Sequence, residues 1–596
     1  MHDLLIKGAT VVDGTGAEPF TADVAVKDGK IADVGKLTSS ATRTIDAHGA
    51  HLTPGFVDIH THYDGQATWD ETFTPSIYHG VTTLVMGNCG VGFAPVRPGE
   101  QSRLIDLMEG VEEIPESVLV EGMRWNWESF AQYDHALDAM PHSLDFMTLV
   151  PHDTLRMYVM GERALAGQSA NPDDLKQMVA LLREALTAGA CGLSLGSTET
   201  HRTAKGNMTP AFQVGAEELN TLAATLRDLP YRVLQAVDDF SATRGAPQEE
   251  KERFDREYAK IEEMARVAGR PVSISWMDRV FAPKQSGWLG DAALESAKRG
   301  IDVRLQCAPR GVGTLSGLDT TLNLFLAYPG YREIQHLPAA ERARRMRDPA
   351  LRARVLSEQP IKLAVEGSSV PPVVDFVVEN FGALSMGMFP CLPGPGGIDY
   401  EPPRSNSIGA MAKAQGVSPL AVMYDFLAQG DGGNLVYYPI YNYTTGDLSK
   451  VYDMLNHPKA LYALGDGGAH VGTICDASST TTMLAHWAIR RTRGPRIALG
   501  RVVEMLTRRN AHYMGLSDRG VIAPGMKADL NLIDLEHLSL PMPRVVRDLP
   551  AGGRRIIQNA EGYLATFVGG QAVTENGEIT AARPGRWMRG PGTAGA

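Results

Sequence analysis

Cysteine, long apolar runs and positive charge are all scarce in this chain, and each scarcity argues against a class of function. Five cysteines in 596 residues (Cys89, Cys191, Cys307, Cys391 and Cys475) are odd in number and scattered. That pattern speaks against a disulfide framework and for reduced thiols in a cytoplasm. No stretch reaches the ~18 consecutive apolar residues of a membrane helix. Lys and Arg number 57 against 69 Asp and Glu, a formal net charge of −12. Nucleic acids and anionic membranes require basic patches, so neither is an expected partner. The opening residues, Met1 to Gly8, lack the basic region, apolar core and small-residue cleavage site of a secretory signal. With 43% apolar and 21% charged residues, the composition is that of an ordinary globular enzyme.

A chain of this length suits one large α/β barrel and a small accessory domain. Its first ~50 residues read as short strands and tight turns, with an Asp28-Gly29 hairpin between apolar runs. The far end has the same texture around Ala528 to Ile533 and Tyr563 to Val573, with Asn576-Gly577 as a further turn. Two strand-rich ends predict one small sheet domain built from both termini. Between them, apolar strands alternate with amphipathic helical stretches, as in βα units. The candidates are 55–62, 82–87, 146–150, 192–196, 233–237, 271–276, 302–306 and 461–465. Eight is the number that closes a TIM-type (β/α)8 barrel, whose active groups lie at the C-terminal strand ends. The connections after strands two and seven are far longer than a βα loop needs, and long loops at that rim shape pockets.

The run Pro54-Gly55-Phe56-Val57-Asp58-Ile59-His60-Thr61-His62 carries the chemistry. Alternation along a strand puts His60 and His62 on one face, where two imidazoles can grip a divalent cation. Sixteen histidines supply about 0.4 such pairs by chance, so the strand-end context carries the reading. Cys89, in Gly87-Asn88-Cys89-Gly90 past strand two, adds a soft ligand; a thiol packed in a tight turn would read the same way. Asp466 ends strand eight in Gly465-Asp466-Gly467-Gly468, where a carboxylate can bind a metal or accept a proton. His470, His152 and His201 fall on the same rim as candidate substrate contacts. Arg310, just past strand seven, is a candidate for a substrate carboxylate.

These motifs, with Gly80 to Gly90, Met108-Glu109-Gly110-Val111-Glu112 and Gly520 to Leu530, resemble the amidohydrolase superfamily, and within it the N-acyl-D-amino-acid deacylase (D-aminoacylase) branch. The resemblance spans nearly the whole chain. It implies a metal-bearing barrel (55–516, with insertions near 95–145 and 310–460) and a β-sandwich from both termini (1–54 plus 517–585). By position, His60 and His62 match the first-strand ligands, Cys89 the cysteine ligand, and Asp466 the eighth-strand base and ligand. The family's histidines on strands five and six are missing. Gln235 stands in one place and Ser275 or Trp276 in the other. Amide and hydroxyl oxygens are poorer zinc ligands than imidazole, so one ion, zinc in first place, is favoured over two.

The expected reaction is metal-dependent hydrolysis of an amide, foremost an N-acyl-D-amino acid, by a cytoplasmic enzyme acting on a small molecule. Association into a homo-oligomer is compatible with everything above. Alternatives are a cyclic amide, lactone or carbamate as substrate, or a catalytically silent barrel used for binding or assembly. Joint retention of His60, His62 and Asp466 argues against the silent barrel.

Overall fold

Eight short strands, each too narrow to hide its own apolar faces, solve that problem by pairing in parallel around a ring. They run Phe56–Asp58, Val81–Met86, Asp145–Pro151, Gly192–Ser197, Val233–Asp238, Val272–Trp276, Val303–Cys307 and Ala460–Tyr462, and are numbered one to eight below. Each pairs with its sequence neighbour in register, and helices such as Pro172–Ala188, Glu250–Ala268 and Gln285–Lys298 cover the outside. The computed structural model describes residues 1–596 except 243–244, 322, 366–369, 371, 395 and 593–596. Pro395 of the Gly/Pro-rich loop near 390 and the last residues of the C-terminal tail therefore lie outside the described residues. Among the described residues, no helix is long and apolar enough to cross a membrane.

All eight expected strands are present, but two end early. Strand one stops pairing at Asp58 instead of reaching His62, and strand eight stops at Tyr462 instead of Gly465. The backbone turns left-handed at Leu464 (φ 64°) and Asp466 (φ 44°), which breaks the ladder. The Asp58 carboxylate fills the space beside Gly465, where a Cβ would lie 2.0 Å from its oxygen. Beyond both strand ends the ring is closed by other bonds. Asp466 N–H donates to His60 O (3.0 Å) and His62 N–H to Gly467 O (2.8 Å). Lower down, the buried Asn510 amide donates to Val57 O and Tyr462 O, both at 2.8 Å. One side chain thus clips strand one to strand eight.

Strands from both ends of the chain form a single nine-stranded sheet, joined where His51–Pro54 pairs antiparallel with Leu530–Ile533. It branches at His2–Val11, which pairs with Phe20–Lys27, Ala41–Asp46 and His51–Pro54. The arms share a core of Leu4, Ile6, Val24, Leu52, Leu530 and Phe567, which makes the sandwich. At the expected hairpin, Asp28 and Gly29 both have positive φ (51° and 73°), matching the primed turns that suit twisted strands. Arg519 fastens this sheet to the barrel through Asp145 (2.6 Å) and Thr83 (2.8 Å).

Two excursions leave the barrel at its C-terminal rim. The first carries the helices Gln101–Glu112, Glu116–Gly122 and Phe130–Asp138. The second, between strands seven and eight, has its own core around Phe325, Tyr331, Met346 and Tyr424. Leu315 N–H donates to Thr473 O (2.7 Å) and Thr321 N–H to Gly472 O (3.1 Å), so this unit grips the loop that follows strand eight.

Asn510→Ala leaves two buried carbonyls without a donor. The expected cost is about 2 kcal/mol, read as a lower thermal unfolding midpoint. An unchanged midpoint would show that the seam closes without Asn510.

Candidate metal centre

Strand one carries His60 and His62 just past its last ladder bond, and strand two delivers Cys89 through a left-handed turn (φ 58° at Cys89). One ligand atom from each lies within 4.8 Å of the others, and all three residues are buried. His60 Nε2 is 3.3 Å from Cys89 Sγ. Asp466 completes the cluster, with Oδ1 at 3.5 Å from His60 Nε2 and 3.8 Å from His62 Nε2. Asp466 thus lies beside the two rings that gather with Cys89, and two imidazoles, a thiol and a carboxylate are donor types suited to zinc-like cations.

The outer nitrogens of the two rings are engaged differently. His60 Nδ1 donates to Gln306 Oε1 at 2.6 Å, and Gln306 is itself fixed by its Nε2 donating to Ser273 Oγ (2.9 Å). His62 Nδ1 faces Glu112 Oε1 at 3.3 Å. Neither Gln306 nor Glu112 stands out as a functional residue in the sequence. Gln306 reads as an ordinary strand position, and Glu112 lies far away on an inserted helix, so only its resemblance-bearing run Met108 to Glu112 marks it.

Burial governs the electrostatics. It raises Asp466 well above the ordinary carboxylate range, with Asp476 and Glu112 adding repulsion. It lifts the Cys89 thiol, lifts Glu112 to about 7 and Asp58 to about 7, depresses His60 to about 4 and holds His62 well below the usual imidazole range. Burial thus disfavours charge on the acids and the imidazoles alike. His470 is the exception: burial works against its charge, but Glu113 and Glu112 raise it to about 10. A divalent cation among His60, His62, Cys89 and Asp466 is the group that lets thiol and carboxylate ionise there, and the residues present fit it.

The other residues singled out in the sequence are distributed unevenly. His470 borders the cluster, its two ring nitrogens facing Glu112 and Glu113 at 3.6 and 3.3 Å. His201 is near enough for its charge to couple to His60 and His470, and burial depresses it to about 3. His152 is not brought into the cluster. It is buried on the helix His152–Met160, its Nε2 2.8 Å from Glu218 Oε1. Arg310 is also spent elsewhere. Its guanidinium donates to Asp476 (2.9 Å), Cys475 O (2.8 Å) and Ser478 (3.0 Å) and stacks on Tyr400 at 3.8 Å. It braces the segment after strand eight instead of presenting charge to a substrate. At the positions lacking histidine, Gln235 Oε1 accepts from Cys89 N–H (2.9 Å) and its Nε2 is buried without a partner. Ser275 Oγ is likewise buried and unpartnered, whereas Trp276 Nε1 donates to Ser286 O (2.9 Å) away from the cluster.

With this fold and site, the chain belongs to the amidohydrolase family, which it matches over residues 43–574. It is accordingly a metal-dependent hydrolase of amide bonds. D-aminoacylase of Alcaligenes xylosoxydans xylosoxydans is 36% identical over 196 residues, 33% of this chain and 38% of that one. A solved D-aminoacylase, in work on one-metal activation and second-metal attenuation of its binuclear centre, superposes with a TM-score of 0.61. It is 24% identical and covers 99% of this chain and 100% of its own. N-acyl-D-glutamate deacylase of Bordetella bronchiseptica, solved with zinc and a phosphonate mimic of the tetrahedral intermediate, also gives 0.61. It is 21% identical and covers 99% of each chain.

Two outcomes test the centre. The double variant His60→Ala/His62→Ala, placed at the rim beyond the packed strand layers, should keep its circular dichroism and lose its metal by elemental analysis. Undiminished metal would place the site elsewhere. Cation affinity should also climb with pH from 6 to 8. The groups that must shed protons are Cys89 and Asp466, whose affinities for the proton are raised, while the imidazoles are already neutral above about pH 4 for His60. A flat profile by calorimetric titration would remove thiol and carboxylate from the ligand set.

Proposed function

We propose that the enzyme deacylates N-acyl-D-amino acids, releasing a D-amino acid and a carboxylate, with a single zinc-like cation held by His60, His62, Cys89 and Asp466. One observation carries the site: two imidazoles and a thiol within 4.8 Å, with Asp466 at 3.5 Å from the nearer ring. A cation there supplies Lewis acidity to a substrate carbonyl and to water, lowering the water pKa toward roughly 7 from 15.7. Support for one ion over two comes from Gln235, whose only ligand-type oxygen is committed to Cys89 N–H. The D-amino-acid assignment rests on similarity to D-aminoacylase and to the two deacylases of N-acyl-D-aspartate and N-acyl-D-glutamate from the same Alcaligenes. Five buried free thiols favour a reducing compartment, which supports a cytoplasmic setting.

Asp466 does the proton work. Its side chain is 14% exposed, open to the rim yet largely out of water, and burial makes it a stronger base than an exposed carboxylate. It takes a proton from the attacking water and returns it to the leaving nitrogen. Its left-handed backbone, bonded to His60 O, points the carboxylate across the seam. His470, protonated at neutral pH and 32% exposed, sets positive charge beside Asp466 and offers an anionic substrate a partner. His201 adds a neutral imidazole to the same rim.

Asp466→Asn keeps the shape and removes the base. Turnover should fall by roughly 10²–10⁴-fold, with KM changing much less because the lost interaction belongs to the transition state. Turnover within tenfold of the parent would take Asp466 out of the mechanism. The parent should prefer N-acyl-D over N-acyl-L amino acids in a hydrolysis screen. Preference for an L-substrate, cyclic amide, lactone or carbamate would overturn the deacylase assignment and leave the hydrolase standing. A parent that purifies without stoichiometric metal would favour the silent barrel.

A further inference from the structure

Glu112 ends the helix Gln101–Glu112 in the excursion between strands two and three, yet its side chain is among the most buried of all the acids, with 1% exposure. Its Oε1 stands 3.3 Å from Nδ1 of His62, the ring nitrogen turned away from the cluster. Among the described residues neither atom has a hydrogen bond of good geometry, so this 3.3 Å approach is the polar contact that each one has. Two buried, otherwise unpartnered polar atoms at 3.3 Å are the natural partners of each other, since an orphan of either kind is costly. The helix reaches this depth because residue 110 is glycine: a Cβ there would lie 2.2 Å from Arg202 O. The same segment also holds the loop after strand eight. Glu112 O accepts from His470 N–H (2.5 Å), Glu112 Oε2 is 3.6 Å from His470 Nε2, and Glu113 accepts from the Thr473 hydroxyl.

We propose that Glu112 is the positioning residue for His62: it accepts the Nδ1 proton, fixes the ring with Nε2 toward the cation, and so latches the inserted helix onto the metal centre. The proposal rests on the reading of His60, His62, Cys89 and Asp466 as the cation site. Gln306 stands behind His60 in the equivalent place, with a 2.6 Å hydrogen bond from Nδ1 to a neutral amide oxygen. The carboxylate is therefore the partner that adds negative charge behind a ligand, which strengthens that ligand as a donor and removes its tautomeric freedom. It also comes from outside the barrel, so cation binding and docking of the excursion depend on one contact.

The test is cation affinity, measured with Zn2+ against a chromophoric chelator, together with the visible spectrum of the Co2+-loaded protein. Glu112→Leu, which removes acceptor and charge, should weaken affinity by about 10–100-fold and shift the Co2+ bands. Glu112→Gln, which keeps an acceptor oxygen of the same reach, should fall between Glu112→Leu and the parent. Affinity of Glu112→Leu within twofold of the parent overturns the proposal, as does an equal loss in Glu113→Gln, which does not touch His62. A parent that binds neither Zn2+ nor Co2+ overturns the cation site itself, and that result is distinct from the first because it appears before any substitution.

Discussion

The seam between strands one and eight is the constraint on which the site depends. A barrel of eight strands must close somewhere, and here the ladder itself gives out at Asp58 and Tyr462 before closure is complete. The Asn510 clip and the two backbone bonds between 60–62 and 466–467 finish it. Because those last bonds use the backbones of His60, His62 and Asp466, their side chains cannot drift apart without opening the ring. The convergence of these side chains is thereby a by-product of barrel closure. Gly465 follows from the same geometry, since any side chain there would meet the Asp58 carboxylate.

Burial then decides what those side chains can do. Asp58, Asp64, Glu112 and Asp466 are carboxyls raised mainly by loss of water. Arginine does not relieve them: Arg310 turns to Asp476 and Tyr400. A cluster of acids and neutral imidazoles with so little positive charge is stable only while protonated, or when a cation takes the place of the protons. His470 keeps its charge because it sits between two glutamates on the excursion, which makes that excursion part of the electrostatics of the centre.

The barrel was legible in the sequence because parallel strands buried on both faces appear as short apolar runs at helical intervals, and all eight could be placed. That His60, His62 and Asp466 come together was legible because strand ends converge on one rim of such a barrel. What could not be read was long-range pairing. Arg310 looked available for a substrate because position past a strand end says nothing of Asp476, 166 residues on, or of the ring of Tyr400. His152 looked like a rim residue, but its partner Glu218 comes from the helix Ala216–Ala224 after strand four. Gln306 went unnoticed, and Glu112 was marked only by the run it belongs to, for the opposite reason: Gln and Glu are common, and only the fold reveals which ring each one faces.

The side chains at the ends of strands five and six make sense in the same terms. Gln235 uses its oxygen to hold Cys89 N–H and so stabilises the left-handed turn that presents the thiol. A histidine there would offer a ligand nitrogen and lose that acceptor unless its ring happened to lie in the same place. Ser275 pairs in register with Gln306, whose amide is already committed to His60 and Ser273. The strand-five to strand-seven side chains Gln235, Ser275 and Gln306 are neutral polar groups, two of which hydrogen-bond to Cys89 and His60 across the barrel mouth. Neutral groups demand no counter-charge when buried. The polar residues of strands five to seven thus concentrate the demand for positive charge on the one cluster at the strand-one and strand-eight seam.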